Sequence, residues 1–155
     1  MLDSSTDLKS MLSDPSLLQT RAFINNQWVD AENGATFDVK NPARGDVIAQ
    51  VADLSRTDLA SAISGAEIAQ KKWAAISAKE RSNILRAWYN LMMENQADLA
   101  KILTAEMGKP LVEAMGEIAY GASFVEFFAE EAKRNYGETI PGHQADKRIT
   151  VIKQP

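Results

Sequence analysis

The feature that most constrains the fold is a long stretch, from Ser55 to Gly137, in which apolar residues recur with the period of an α-helix. Its first helix begins at Ser55 or Thr57, because a hydroxyl at either position can accept a hydrogen bond from an exposed amide of the first turn. The apolar stripe that this helix is expected to bury contains Leu59, Ile63, Ala66 and Trp73. More than half of the chain is therefore predicted to be helical.

Three further helices are marked by their ends. Ser77 and Glu80 have the spacing of a capping box, which begins a helix. The stripe expected to be buried in that second helix contains Ile84, Leu85, Trp88, Leu91 and Met92. A third helix carries Leu99, Ile102, Leu103 and Met107 and ends at Gly108. Pro110 suits the start of a fourth, which is predicted to run to about Asn135.

Strand patterns precede and follow the helices. Residues 22–52 predict three or four short antiparallel strands, with a tight hairpin turn at residues 25–27. Residues 1–20 predict two short helical turns, and in one of them Asp14 caps a turn that starts at Pro15. Residues 140–152 return to a strand pattern that has no visible partner. This order is typical of the beginning of a larger fold.

Composition excludes several kinds of site. The 155 residues contain no cysteine and one histidine, so the chain has no disulfide, no cysteine zinc site and no thiolate nucleophile. We predict no metal site, and His143, in a polar turn, is expected to lie in a surface loop. The net charge is −4 and basic residues are scattered, which argues against nucleic-acid binding. No apolar run is long enough for a membrane span and the start of the chain lacks a secretory pattern, so a cytoplasmic protein is expected.

Two glycines, Gly116 and Gly121, lie inside the predicted fourth helix, where each costs about 1 kcal/mol relative to alanine. One interpretation, which we favour, is that another backbone passes close to the helix. The other is that the helix leaves room for a ligand. Tyr120 lies one turn after Gly116, so the two share a helix face.

The remaining candidates, in this helix and in the first two, are interpreted as structural. Glu126, Glu130 and Glu131 have the spacing of a solvated helix face, with Glu130 and Arg134 four residues apart as a pair. Aromatic residues at helical spacing are expected in the core, and they are Trp73, Trp88, Phe124, Phe127 and Phe128.

Three motifs carry a resemblance to a known family. Residues 23–28 are similar to an F-I-N-G-x-W opening, and residues 41–46 to an N-P-A-T-G-x turn. Residues 106–114 match an E-x-G-K-P-L-x-E-A signature. In this order, from about Leu17 onwards, they resemble the NAD(P)-dependent aldehyde dehydrogenase superfamily. Residues 85–94, 136–148 and 153–155 resemble its bacterial succinate-semialdehyde dehydrogenases more narrowly.

The resemblance implies a fold class and a division of the chain. The whole family protein is α/β, and this chain is expected to supply its short N-terminal β-hairpins, a four-helix segment and the start of an oligomerisation strand. Residues 1–20 are the N-terminal helical turns, 21–139 the N-terminal part of the cofactor-binding domain, and 140–155 the start of the oligomerisation arm. The arm implies a homodimer or homotetramer.

The resemblance also implies an activity for the full-length protein, the oxidation of succinate semialdehyde to succinate with hydride transfer to NAD or NADP. In the family a cysteine attacks the aldehyde and a glutamate activates water, and these groups lie beyond the position of Pro155. The chain is therefore expected to hold no catalytic, cofactor-binding or metal residue and to be inactive alone. Gly116 and Tyr120 correspond to positions that line the aldehyde's entrance tunnel.

Two alternatives stay open for the function. One is a catalytically inactive chain that acts as an oligomerisation or interaction module. The other is an aldehyde dehydrogenase for a different aldehyde, such as glutarate semialdehyde. Choice between NAD and NADP depends on residues that this sequence does not contain.

Overall fold

The computed structural model describes residues 8–154, and six short strands and four α-helices lie within that range. Residues 8–10 are helical, Pro15–Leu17 is a 3-10 turn, and any helical turn in residues 1–7 lies outside the described residues. The strands are β1 (Ala22–Ile24), β2 (Gln27–Val29), β3 (Thr36–Lys40), β4 (Val47–Ala52), β5 (Glu138–Pro141) and β6 (Arg148–Val151). The helices are α1 (Arg56–Ala75), α2 (Ala78–Glu94), α3 (Gln96–Met107) and α4 (Leu111–Glu131).

The strands form three separate antiparallel hairpins, β1–β2, β3–β4 and β5–β6. Asn25 and Asn26 have φ of 51° and 67°, which are the left-handed values that a two-residue hairpin turn requires. The predicted early hairpin and its neighbouring strands are therefore confirmed. The prediction that the C-terminal strand has no partner is wrong, because β6 pairs with β5 from Glu138 opposite Val151 to Pro141 opposite Arg148.

The helix starts follow the local capping signals. At α2 the Ser77 amide donates to the Glu80 carboxylate (2.8 Å), and the Glu80 amide donates to Ser77 Oγ (3.2 Å). Ser55, rather than Thr57, caps α1 through the same exchange with Asp58. All four predicted helices are confirmed.

The fourth helix ends earlier than predicted. It stops at Glu131 and not near Asn135, because its last turn tightens. There Lys133 N–H donates to the carbonyl of Glu130, and Arg134 N–H donates to that of Glu131. Such three-residue bonds satisfy terminal carbonyls but do not continue an α-helix.

The core of the helical part lies where α4 packs on α2 and α3. Four alanines are completely buried in these helices, and they are Ala100, Ala114, Ala122 and Ala129. Because a methyl group takes little room, helix backbones can approach closely at these positions. The large aromatic side chains of α4 are exposed instead, and they are Tyr120, Phe124, Phe127 and Phe128.

The N-terminal segment packs on α3. Leu8, Leu12 and Leu18 form a buried cluster against Ile102 and Ala105. The Asp14 side chain accepts a hydrogen bond from the amide of Ser16 (2.9 Å). Asp14 therefore caps the turn at Pro15, as predicted. This segment therefore closes one end of the helical part.

The predicted buried stripes are partly wrong. No residue of α1 is buried, and Leu59 and Ile63 are 56% and 60% exposed. In α2, Leu85 and Met92 are half-buried as expected, but Ile84, Trp88 and Leu91 are each more than half exposed. The reason is that α2 turns toward α4 the face that carries Arg86, whose side chain reaches two carboxylates of that helix.

Gly108 ends α3 in a left-handed conformation, with φ of 81° and its amide bonded to the Thr104 carbonyl (2.9 Å). A Cβ there would also lie 3.0 Å from Pro42 Cγ. We expect Gly108→Ala to lower the free energy of unfolding by about 1–2 kcal/mol, because non-glycine residues are strained at positive φ. Urea denaturation measures the change.

The matched control is Gly121→Ala, since Gly121 has an ordinary helical conformation and no neighbour within 4 Å of its would-be Cβ. That change should raise the free energy of unfolding by about 1 kcal/mol. Equal effects at the two glycines would show that the left-handed conformation of Gly108 does not matter.

Candidate functional site

The candidate site is the exposed face of α4, the helix that carries both residues predicted to line a substrate path. Gly116 and Tyr120 lie one turn apart and both are exposed, Tyr120 to 63%. A Cβ added at Gly116 would meet no atom within 4 Å among the described residues. The same is true at Gly121. The favoured interpretation, close approach of another backbone at these glycines, is therefore wrong for residues 8–154, and the space beside the helix is open.

Aromatic side chains continue this face toward the end of α4. The rings of Tyr120 and Phe124 pack edge to face, with centroids 4.9 Å apart, and those of Phe127 and Phe128 do the same at 5.3 Å. Together with Ser123 and Glu126 they line a groove of about 680 Å³. Phe124, Phe127 and Phe128 are 48%, 57% and 56% exposed, so their predicted place in the core is wrong within this chain. Trp88 is likewise exposed, and Trp73 is half-buried.

An ion-pair cluster between two helices sets how α4 presents this face. Arg86 of α2 donates to Glu126 Oε1 (2.6 Å) and to Glu130 Oε1 (2.8 Å). Lys133 donates to the other oxygen of Glu130 (2.9 Å). Because Glu126 and Glu130 are one helical turn apart, a single guanidinium that bonds both resists rotation of α4 about its axis.

The pKa shifts in this cluster follow from its hydrogen bonds. Bonds from Lys133 and then Arg86 lower the pKa of the Glu130 carboxyl. The bonds to Glu126 and Glu130 raise the pKa of Arg86. The guanidinium also lies 5.3 Å from the centre of the Tyr89 ring. Both shifts favour the charged forms of Glu130 and Arg86, so this ion pair persists at neutral pH as a fixed support.

The acidic residues of α4 make ion pairs that differ from those that their spacing predicts. The predicted pair of Glu130 with Arg134 is wrong, since Arg134 bonds Glu131 (2.6 Å) and Glu130 bonds Arg86 and Lys133. Glu126 and Glu130 keep 41% and 40% of their side-chain surface exposed, as a solvated face requires, and they also bridge to Arg86 of α2. Arg86 was missed because its partners lie 40 and 44 residues away along the chain.

The face offers a binding surface lined by aromatic rings, two hydroxyls and one carboxylate. The sequence has no cysteine. Among residues 8–154, no three His, Cys, Asp or Glu side chains are placed to hold a metal ion. His143 lies exposed in the turn between β5 and β6, as predicted. Ser123 Oγ donates to the Tyr120 carbonyl (2.7 Å). An aromatic groove beside an open helix surface can contact an apolar or mixed ligand.

The described residues also fail to fit a dinucleotide. All three of their sheets are antiparallel hairpins, and β4 is joined to α1 by Asp53, Leu54 and Ser55. No glycine-rich turn joins a strand to a helix there, so the backbone cradle that a pyrophosphate needs is absent from residues 8–154. Nor is any helix in that range long and apolar enough to cross a membrane.

The order of hairpins, four helices and a final hairpin is that of the N-terminal region of one family of enzymes. The sequence profile of the "Aldehyde dehydrogenase family" matches residues 28–155. The chain belongs to the aldehyde dehydrogenase family, and the predicted fold class is confirmed.

Two relatives and one solved structure define the similarity further. The succinate-semialdehyde dehydrogenase [NADP(+)] of Escherichia coli is 56% identical over 144 residues, which are 93% of this chain and 30% of that protein. The glutarate-semialdehyde dehydrogenase of Pseudomonas putida is 57% identical over 144 residues, with the same coverage. A crystal structure of an E. coli NADP-dependent enzyme has a TM-score of 0.91 at 56% identity, again over 93% of this chain and 30% of that one. The chain thus spans about 30% of the length of the relatives it matches.

Proposed function

We propose that this chain is the N-terminal portion of an NAD(P)-dependent aldehyde dehydrogenase that oxidises succinate semialdehyde to succinate. The observation that carries the proposal is the 56% identity to the E. coli succinate-semialdehyde dehydrogenase, with a backbone that matches at a TM-score of 0.91. The catalytic cysteine and glutamate, and the residues that hold NAD or NADP, belong to the polypeptide beyond Pro155. The chain alone is expected to be inactive.

We also propose a role for each segment of the chain. Residues 21–139 form the N-terminal part of the cofactor-binding domain, and residues 140–155 start an oligomerisation arm, so the complete enzyme is a homodimer or homotetramer. The helical turns at residues 8–10 and Pro15–Leu17 precede both. The hairpin β5–β6 supports the arm, because a two-stranded ribbon leaves two free edges to which another strand can pair.

The exposed face of α4 serves as part of the aldehyde's path. Two features support this role for Gly116 and Tyr120, the open space beside Gly116 and the exposed aromatic ring one turn later. The Arg86 cluster fixes the rotation of α4 and hence the direction in which these residues point. Gly116 and Tyr120 therefore shape access to the chemistry without taking part in it.

The coding DNA that follows the Pro155 codon, and the complete polypeptide it encodes, give the direct test. We expect a Pro-Trp-Asn-Phe segment, then a glutamate motif and a cysteine motif, and reduction of NAD or NADP with succinate semialdehyde. The purified 155-residue chain is the control, and it should give no reduction. A stop codon at that place, or a complete polypeptide without aldehyde oxidation, contradicts the proposal.

Glutarate semialdehyde is the second candidate substrate, because a glutarate-semialdehyde dehydrogenase is 57% identical to the chain. The two aldehydes differ by one methylene, which a binding pocket distinguishes by roughly 10–200-fold in kcat/KM. Comparison of kcat/KM for the two substrates decides between them. Succinate semialdehyde is expected to give the higher value.

A further inference from the structure

We propose that Asn33, in the turn between β2 and β3, is a site of spontaneous deamidation, and that the fold of this turn sets the rate of the reaction. Asn33 is followed in the sequence by Gly34, and both residues are exposed. The reaction changes this chain covalently and is independent of the proposed enzymatic activity.

The chemistry is an attack of one backbone amide on a neighbouring side chain. The nitrogen of Gly34, after it has lost its proton, forms a bond with Cγ of Asn33, and the side-chain nitrogen leaves as ammonia. The product is a cyclic succinimide. Water then adds to either carbonyl carbon of the ring and breaks the bond of that carbon to the nitrogen, which yields aspartate or isoaspartate at position 33. The reaction needs water and base alone, and nothing is oxidised or reduced.

The glycine that follows distinguishes Asn33 from the other asparagines of the sequence. Each of the others precedes a residue with a side chain, and these residues are Asn26, Gln27, Pro42, Ile84, Leu91, Gln96 and Tyr136. A side chain on the following residue crowds the attacking nitrogen, and a proline has no N–H to lose. Glycine has no Cβ. The Gly34 amide is therefore the least hindered nucleophile that follows any asparagine of the chain.

The turn leaves room for the ring to form. Gly34 has a φ of 69°, and a Cβ added there would meet no atom within 4 Å among the described residues. The Asn33 side chain folds back over its own turn, because Oδ1 accepts a hydrogen bond from the amide of Ala35 (2.9 Å). The side-chain carbonyl is therefore held beside the backbone that attacks it.

The same turn restrains the attacking atom. The Gly34 amide donates to the carbonyl of Ala31 (2.8 Å), so the nitrogen must leave this hydrogen bond before it can lose its proton and bond Asn33. Local opening of the turn therefore precedes the reaction. Loss of one such hydrogen bond lowers the population of the reactive state by about two- to tenfold. Deamidation of the folded chain is accordingly slower than that of the unfolded chain by at least this factor.

Both ends of the turn are tied to the rest of the fold. The Glu32 amide donates to the Asp58 carboxylate of α1 (3.2 Å), and the Asp53 amide donates to the carbonyl of Ala35 (2.9 Å). Isoaspartate adds a methylene to the main chain between these two tied residues. Either product also adds a negative charge next to the residue that bonds Asp58. We therefore expect the converted chain to have a lower Tm than the original chain.

The experiment is incubation of the purified chain near neutral pH, followed by mass spectrometry of its peptides. We expect Asn33 to gain the mass of an amide-to-acid conversion and to give both aspartate and isoaspartate forms. Its conversion should be at least about tenfold faster than that of each other asparagine. The rate should rise with pH, because hydroxide removes the amide proton. It should also increase by at least about two- to tenfold when urea unfolds the chain.

Two glycine variants, both measured in urea so that folding has no influence, test the role of Gly34. Gly34→Ala should slow the conversion of Asn33 by at least about tenfold, because the new Cβ crowds the nitrogen. Gly45→Ala is the matched control, since Gly45 also has a positive φ (79°) and no atom within 4 Å of its would-be Cβ, but it follows Arg44. That change should leave the rate within about twofold.

The proposed site is wrong if Asn33 converts no faster than the other asparagines, or if the two glycine variants slow its conversion equally. Equal rates at Asn33 in the folded and the unfolded chain would overturn the control of the reaction by the turn. A converted chain that keeps the original Tm would overturn the expected effect on the ties to α1 and to Asp53.

Discussion

Gly116→Leu is expected to lower kcat/KM for the aldehyde by about tenfold or more, chiefly through a higher KM, in a chimera whose N-terminal segment is this chain. The chimera is the E. coli succinate-semialdehyde dehydrogenase with its matched 144 residues replaced. A leucine at this position has room in the fold, since no described atom lies within 4 Å of the would-be Cβ. Its side chain therefore projects beside Tyr120 into the space through which the aldehyde is proposed to pass. NADP reduction at varied succinate semialdehyde concentration measures the change.

Gly121→Leu is the matched control, because Gly121 is equally open and lies about 140° around the helix from Gly116. It should leave kcat/KM within about twofold. Both changes should stabilise the isolated chain by about 1 kcal/mol, since leucine favours a helix more than glycine does. Equal losses of kcat/KM in the two variants would remove the reason to assign Gly116 to the substrate path.

The positions of the helices could be predicted because their ends depend on residues close together in sequence. Ser77 and Glu80 meet within one turn, and Gly108 ends α3 by its own conformation. The hairpin turn at Asn25 and Asn26 is local in the same way. The pairing of β5 with β6 was missed because β5 is short and ends in a proline, which weakens a strand pattern.

The buried faces could not be predicted, because they depend on partners that are distant in sequence. Periodicity places Leu85, Trp88 and Met92 in one broad apolar sector of α2, and Arg86 decides which part of it meets α4. Helical periodicity shows which residues share a face but not whether that face meets a partner, so Phe124 looks like core in sequence and is 48% exposed in the structure.

The candidate site could also be predicted only in part from the sequence. Gly116 and Tyr120 share a face by helix geometry alone, and that placement is observed. The open space beside Gly116 and the aromatic packing of Tyr120 on Phe124 required the structure. The Arg86 cluster, which supports the site, joins helices that are separated by α3 in the sequence and so had no local signal.

Asp98→Ala is expected to lower Tm by about 5 °C and to loosen the N-terminal segment. The Asp98 side chain is buried, accepts the Asp14 amide (2.8 Å) and bonds Lys101 Nζ (2.9 Å). Lys101 also donates to the carbonyl of Met11 (2.8 Å). Loss of the carboxylate leaves the Asp14 amide without its partner and frees the lysine that ties the segment to α3. Thermal unfolding measures Tm, and hydrogen exchange should become faster across residues 8–18 than across α4.

Asp98→Asn is the control that separates the hydrogen bond from the charge. It keeps an oxygen for the Asp14 amide and removes the ion pair with Lys101, so its loss of Tm should be smaller than that of alanine. If both variants unfold at the same temperature as the unchanged chain, Asp98 does not hold the N-terminal segment.

The pH dependence of this contribution has a definite sign. Hydrogen bonds from Lys101 and then from the Asp14 amide lower the pKa of Asp98 below its ordinary value of 3.8. A carboxyl whose pKa is lowered by folding stabilises the folded state above the unfolded pKa, and the contribution is lost as pH falls through the folded pKa. The difference in Tm between the unchanged chain and Asp98→Asn should therefore be constant from pH 7 to about pH 5 and shrink below about pH 4. Burial raises the pKa of Glu106, so the contribution of Glu106 to stability depends on pH with the opposite sign. This contribution is the same in the unchanged chain and in Asp98→Asn, and it cancels in the difference between their Tm values. A difference that grows as pH falls below 4 would contradict the ionised role of Asp98.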